Sequence, residues 1–144
     1  MKFFADWGVP DTVTGRFNML SLHMALMLRR LRGEPAAAAF VQALVDRFFK
    51  DMDQSHRELG ITDLGVPRQI RRLGNLFYGL VTALDEALGS DEPALQQMLV
   101  RNIYTGDTAG DAASLATYVE GEVARLAVLP TATILSGHTE GAAA

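Results

Sequence analysis

The chain has 144 residues with 17 acidic and 13 basic side chains, a formal net charge of −4 and no cysteine. Its length suits one domain, and the missing thiols exclude disulfides, thiolate metal sites and redox thiol chemistry while permitting a reducing compartment. The acidic balance argues against a broad nucleic-acid surface, and the apolar share of 49% with mean hydropathy +0.11 points to a thick aliphatic core or an exposed apolar binding surface.

Met1-Lys2-Phe3-Phe4 is followed at once by Asp6, Trp7, Gly8 and Pro10, too soon for the apolar run of a secretory signal, so export is not expected. Asp11 or Thr12 is positioned to cap a first long helix running to about Arg32, closed by Gly33 and Pro35. Phe17, Leu20, Met24, Leu28 and Leu31 form its predicted inner stripe, widened by Leu22 and Leu26. Arg16, His23 and Arg30 recur at seven-residue spacing as a polar seam, so the helix should be packed on two sides. The apolar run Met19 to Leu28 falls short of the ~20 residues a spanning helix needs, and contains Ser21 and His23.

A second helix is predicted from about Pro35 to Leu59, with Val41, Leu44, Val45, Phe48 and Met52 inward and Asp46/Lys50, Arg47/Asp51 and Asp53/Arg57 spaced as i,i+4 pairs on a wet face. Gly60 ends it. The third helix begins near Pro67 and carries Ile70, Leu73, Phe77, Leu80, Val81, Leu84 and Leu88 inward until Gly89. Ser90 or Asp91 opens a fourth to about Tyr104, and a fifth runs from about Asp111 to Val128. The expected fold is all-α, a compact single-domain bundle of about five helices over residues 1–129, with residues 130–144 as a disordered tail.

No nucleophile–base pair, phosphate-binding glycine loop or clustered histidines can be assembled, so no catalytic, metal or cofactor site is expected and the chain does not read as an enzyme. Asp51 and Asp53 lie two apart on a helix and cannot share one cation. His23 suits a hydrogen bond in a partly buried seam. Two arginine groups stand out. Arg29-Arg30-Arg32 at a helix C-terminus suits the macrodipole, whereas Arg68-Arg71-Arg72 in the first turns of another helix opposes it, implying an acidic partner or a bridge to Asp51, Asp53 or Asp63. Tyr78 falls on the polar side of the third helix. Gly79 beside it would be tolerated best where another backbone approaches closely, and the two mark a docking spot.

The motifs Phe4-Ala5-Asp6-Trp7-Gly8-Val9-Pro10-Asp11-Thr12, Gly15-Arg16-Phe17, Leu28-Arg29-Arg30-Leu31, Phe49-Lys50-Asp51-Met52-Asp53, Arg57-Glu58-Leu59-Gly60, Asp63-Leu64, Val66-Pro67 and Phe77-Tyr78-Gly79 resemble, in order and spacing, bacterial members of the ubiquinol-cytochrome c chaperone family. The resemblance covers most of Phe4 to Ala127. It implies an all-helical assembly factor for the ubiquinol-cytochrome c oxidoreductase complex, without cofactor, whose partner is newly made cytochrome b or an assembly intermediate. It leaves room for ribosome contact, and for a cytoplasmic protein placed peripherally at the inner membrane without spanning it. The contact region it suggests comprises Asp51, Asp53, Arg57, Asp63, Arg71, Tyr78 and Gly79, to which the charge pattern adds Arg68 and Arg72. Family members carry a segment ahead of the Phe4 motif, so an upstream extension is an expectation. The rival expectation is a small helical regulator or ligand-binding protein with an internal apolar pocket. An open apolar groove beside Tyr78 would favour the chaperone, an enclosed cavity the rival.

Overall fold

A computed structural model describes residues 2–58, 65–106 and 110–137, and all of its regular structure is helical among them. In chain order the elements are α1 (Lys2–Ala5), α2 (Val13–Leu31), a 3₁₀ turn (Pro35–Ala37), α3 (Ala38–Glu58), α4 (Gly65–Leu88), α5 (Glu92–Asn102), α6 (Ala112–Val128) and α7 (Thr131–Leu135). The five long helices are those the periodicity predicts.

Thr12 caps α2 by accepting from Gly15 N at 3.0 Å, and Asp111 caps α6 by accepting from Ser114 N at 3.0 Å. Each satisfies one of the backbone donors that a helix start leaves orphaned. Asp91 stands at the N-cap of α5 but makes no side-chain capping bond. Pro35 begins the 3₁₀ turn that leads into α3, where the lack of an N–H costs nothing.

Helices α2, α4, α5 and α6 pack around the main core, α2 touching α4 and α6, and α5 bridging α4 and α6. Leu22, Ala25, Leu84, Leu99, Leu115 and Val119 lie at its centre, essentially without exposure. Helix α3 packs outside this ring on α4, and a second cluster fills the gap between α2, α3 and α4 with Phe17, Met24, Phe48, Met52 and Phe77. Phe48 is the hub of that cluster, stacked on Phe17 at 5.9 Å and tilted on Phe77 at 5.2 Å. Helix α2 is therefore packed on two sides, as its seam implied. Leu20 is a correction: predicted inward, it is 51% exposed, because contact with both α4 and α6 turns the buried arc of α2 toward Leu22, Ala25 and Leu26.

The segment around Trp7 locks the chain's beginning onto the α5–α6 connection. The Trp7 carbonyl accepts from Tyr104 Oη at 2.9 Å and from Asp111 N at 2.9 Å. Gly8 adopts φ +72°, and a Cβ there would meet Gly110 Cα at 3.1 Å, so the left-handed turn and the close approach both call for glycine. A Cβ at Gly15 would run into the Pro10 carbonyl. These contacts give Trp7, Gly8 and Gly15 structural duties.

The stretch expected as a tail from residue 130 is a correction over its first part. Leu129 and Ile134 are buried and Thr131–Leu135 is helical. The segment is too short to show periodicity, yet two aliphatic anchors suffice to seat one turn and a half against the core. Residues 138–144 lie outside the described residues.

Candidate functional site

Helix α4 is amphipathic enough that adjacent residues meet opposite environments. Phe77 is fully buried while Tyr78 is 55% exposed. The Tyr78 ring stands at 5.3 Å from that of Phe77 and 6.5 Å from that of Phe49 on α3, so its base is packed and its hydroxyl end faces out. Next to it, Gly79 is exposed, with no atom within 4 Å of where a Cβ would sit. Among the described residues no backbone of this chain approaches it: the glycine faces open space and leaves a gap in the surface beside the tyrosine.

Tyr78 forms one wall of an open groove of about 630 Å³ between the end of α2 and the start of α3. Leu28, Leu31, Pro35, Ala38, Val41 and Val45 supply its apolar lining, and Arg32, Glu34 and Gln42 its polar rim. The Gly33–Pro35 break creates this groove, since the chain must reverse there and the two helix ends cannot close over one another. Leu31 is buried as its period predicts, whereas Leu28, Val41 and Val45, also predicted inward, are half-buried along the groove.

A second open groove, of about 810 Å³, lies between α1 and α2 and is lined by Phe3, Phe4, Met19, Leu20 and His23, with Asp11 and Arg16 at its edge. It was not foreseen. Arg16 Nε donates to Asp11 Oδ1 at 2.8 Å, which raises the Arg16 pKa. His23 sits against the back of this groove. Its Nδ1 bonds the Met19 carbonyl at 2.8 Å and its Nε2 bonds Tyr118 Oη at 2.8 Å. A carbonyl only accepts, so Nδ1 is the donor to Met19, and Nε2 is paired with the tyrosine hydroxyl. Burial, then the nearby Glu122, raises the Tyr118 pKa. Glu122 itself is held below its ordinary value, chiefly by its hydrogen bonds from Arg125.

The two arginine groups part company. Arg29 and Arg32 both bridge Asp85 of α4, at 3.4 and 2.8 Å, and this hydrogen bonding from Arg32 lowers the Asp85 pKa. Arg30 is committed to the end of α6. By contrast Arg68, Arg71 and Arg72 are exposed and, among the described residues, no carboxylate pairs with them. They line a shallow depression with Asn75 and Leu76, the last 54% exposed.

The remaining sequence-derived positions are less concentrated. Asp51 is exposed on α3 and paired with Arg47 at 3.0 Å, while Asp53 is half-buried on another side of the same helix. Neither lines the groove beside Tyr78. Arg57 belongs to α3 but its side chain, like all of Asp63, lies outside the described residues. The structure thus brings Tyr78 to the groove, with Gly79 beside it on the exposed face of α4 that also carries the three arginines. It leaves Asp51 and Asp53 on the neighbouring helix. Chemically, this surface offers apolar contact, an aromatic anchor and positive charge, the means of binding.

A family model described as ubiquinol-cytochrome C chaperone matches residues 5–141. The chain is similar to ubiquinol-cytochrome-c reductase complex assembly factor 1 of Xenopus laevis, 27% identical over 103 residues that cover 71% of this chain and 52% of that protein. It is also similar to the mitochondrial protein CBP3 of Saccharomyces cerevisiae, 26% identical over 131 residues, 88% of this chain and 39% of that protein. It spans about half or less of these relatives' length. Among solved structures, that of the Cbp3 homolog from Brucella abortus is 42% identical, with a TM-score of 0.85 over 94% of this chain and 77% of that one.

Proposed function

The chain belongs to the ubiquinol-cytochrome C chaperone family, and we propose that it is an assembly chaperone for the ubiquinol-cytochrome c oxidoreductase complex, binding newly made cytochrome b or an assembly intermediate. The observation that carries this reading is the open apolar groove beside Tyr78. A groove open along its length suits a segment of another polypeptide, whereas a small ligand is held by a site that encloses most of its surface. Its walls come from helix ends, so a client helix can lie across them, with Tyr78 as an anchor whose packed base limits the entropy lost on binding. The names of the relatives, assembly factors of the same reductase complex, support the same role. No described helix is long and apolar enough to cross a membrane, which supports action from the membrane periphery. Asp51, Asp53, Arg57 and Asp63 remain proposed contacts.

The test is affinity capture from a respiring bacterial host with the wild-type chain, Tyr78→Ala and Leu20→Ala. Mass spectrometry should recover cytochrome b with the wild type and with Leu20→Ala, and lose it with Tyr78→Ala. Loss with Leu20→Ala alone would move the site to the groove between α1 and α2. Recovery of soluble enzymes only would overturn the assembly role.

A further inference from the structure

Helix α4 carries no carboxylate from Gly65 to Leu84. Its first acidic residue, Asp85, is already taken by Arg29 and Arg32. Over the same stretch Arg68, Arg71 and Arg72 stand exposed, and Leu76, one turn beyond Arg72, is exposed as well. Arg68, Arg72 and Leu76 follow at i, i+4 and i+8, so they form one ridge about 12 Å long at 1.5 Å per residue. The formal charge of the whole chain is −4, so this ridge is a local positive feature on an acidic protein. Its cations sit in the first turns of a helix, where the backbone dipole also presents positive charge; the arrangement costs stability in isolation and becomes favourable only beside an anion.

We propose that the ridge Arg68–Arg72–Leu76, flanked by Arg71 and Asn75, docks on the surface of a bilayer containing anionic phospholipid. Charge complementarity selects the anion, and the shape and the leucine select its source. The depression is shallow and carried by a single helix, which fits a flat surface better than the groove of a nucleic-acid duplex. The exposed aromatic ring on this helix, Tyr78, is packed at its base on Phe49 and Phe77 and lines the groove at the end of α2, so the ridge lacks the series of stacking platforms on which single-stranded nucleic-acid sites rely. An aliphatic side chain among arginines gains most where hydrocarbon lies directly beneath phosphate, which is the geometry of a membrane interface. Further along the helix Gly79 and Thr82 are exposed and small, and the exposed Tyr78, seven residues beyond Arg71, adds an amphipathic ring of the kind that sits at the headgroup level of a bilayer. The inference is independent of the client's identity.

Vesicle co-sedimentation of the full chain tests it, with phosphatidylcholine vesicles against mixed phosphatidylglycerol and phosphatidylcholine vesicles at low and high salt. The wild type should sediment with the anionic vesicles only, and less so at high salt. Arg68→Gln/Arg71→Gln/Arg72→Gln should lower partitioning roughly a hundredfold, as expected for three cations near an anionic surface. Leu76→Ala should lower it severalfold while leaving the salt dependence in place, a result that a purely electrostatic acidic protein partner would not give. All four side chains are exposed, and an unchanged thermal melt of each variant establishes that the fold persists. Equal sedimentation with neutral vesicles, equal binding by the triple variant, or tighter binding to single-stranded RNA or polyglutamate than to the anionic vesicles would each overturn the proposal.

Discussion

Arg30 on α2 closes the end of α6: its Nε donates to the Leu126 carbonyl at 2.8 Å, and its Nη2 donates to Leu129 O at 2.7 Å. The last carbonyls of a helix have no partner within it, and a planar guanidinium satisfies two of them with one side chain that is only 17% exposed. Arg30→Ala should therefore destabilise the chain by about 2–3 kcal/mol, the loss of charge-assisted bonds from partly buried acceptors. Arg30→Lys should recover only part of it, because an ammonium cannot span both carbonyls. Urea denaturation of the two variants checks this, and Asp85→Asn, which breaks only exposed pairs with Arg29 and Arg32, should cost far less than Arg30→Ala.

The same residue shows what was legible in the sequence and what was not. The seven-residue recurrence of Arg16, His23 and Arg30 marked a polar seam, and the structure places its two inner members against α6, at Tyr118 and Leu126. Their partners could not be named, since they lie 95 and 96 residues away and no local pattern ties them together. Helix periods, the Thr12 cap and the Phe77/Tyr78 contrast were local properties and could be read directly. The groove beside Tyr78 was not, because Leu28, Val41 and Val45 have the same apolar signature whether a neighbouring helix covers them or not. Tyr104 is a similar case. It stood at a predicted helix end, and only the approach of Trp7 and Gly110 buries it.

That burial gives an alkaline signature. The Tyr104 pKa is pushed up from 10.0 to about 12, first by burial and then by Asp111. The unfolded chain releases this proton near the ordinary value while the folded chain retains it. The stability linked to Tyr104 is thus fully present below about 10 and is lost as pH rises toward about 12. Tyr118, also shifted upward, contributes with the same sign. Unfolding midpoints measured across this window should fall steeply for the wild type, less for Tyr104→Phe, and least for Tyr104→Phe/Tyr118→Phe. At neutral pH Tyr104→Phe should cost about 1 kcal/mol for the bond to the Trp7 carbonyl. An unaltered alkaline slope in the double variant would show that neither phenol is responsible.

Phe77 and Tyr78 form a matched pair for separating folding from binding. Phe77→Ala empties the centre of the cluster between α2, α3 and α4 and should cost ~3–5 kcal/mol. Tyr78→Ala should cost well under that, because only the base of its ring is packed, on Phe49 and Phe77. The order should reverse for client association, which Tyr78→Ala is expected to weaken by ~2 kcal/mol as an interface anchor. Thermal melts and a client pull-down on both variants decide it. A Tyr78→Ala protein that melts as early as Phe77→Ala would place Tyr78 among the core residues.

Gly79 allows a sharper separation, because two glycines of this chain share a helical, unobstructed setting and differ in location. A Cβ at Gly79 on α4 or at Gly121 on α6 would meet nothing within 4 Å, and neither residue has a positive φ. Alanine at either site removes backbone entropy from the unfolded chain without a clash, so Gly79→Ala and Gly121→Ala should each raise stability by about 0.5–1 kcal/mol. Their effects on binding should diverge. At Gly79 the methyl group fills the gap beside Tyr78, so if a client backbone approaches there, affinity falls although the fold is firmer; a larger Gly79→Gln side chain should lower it further. Gly121→Ala controls for the gain in stability itself, and should leave association unchanged. Urea midpoints and pull-down yields on the three variants measure both quantities. A Gly79→Ala protein that is stabilised and binds the client as the wild type does would show that the glycine is dispensable to contact, and would confine the docking surface to Tyr78 and the groove walls.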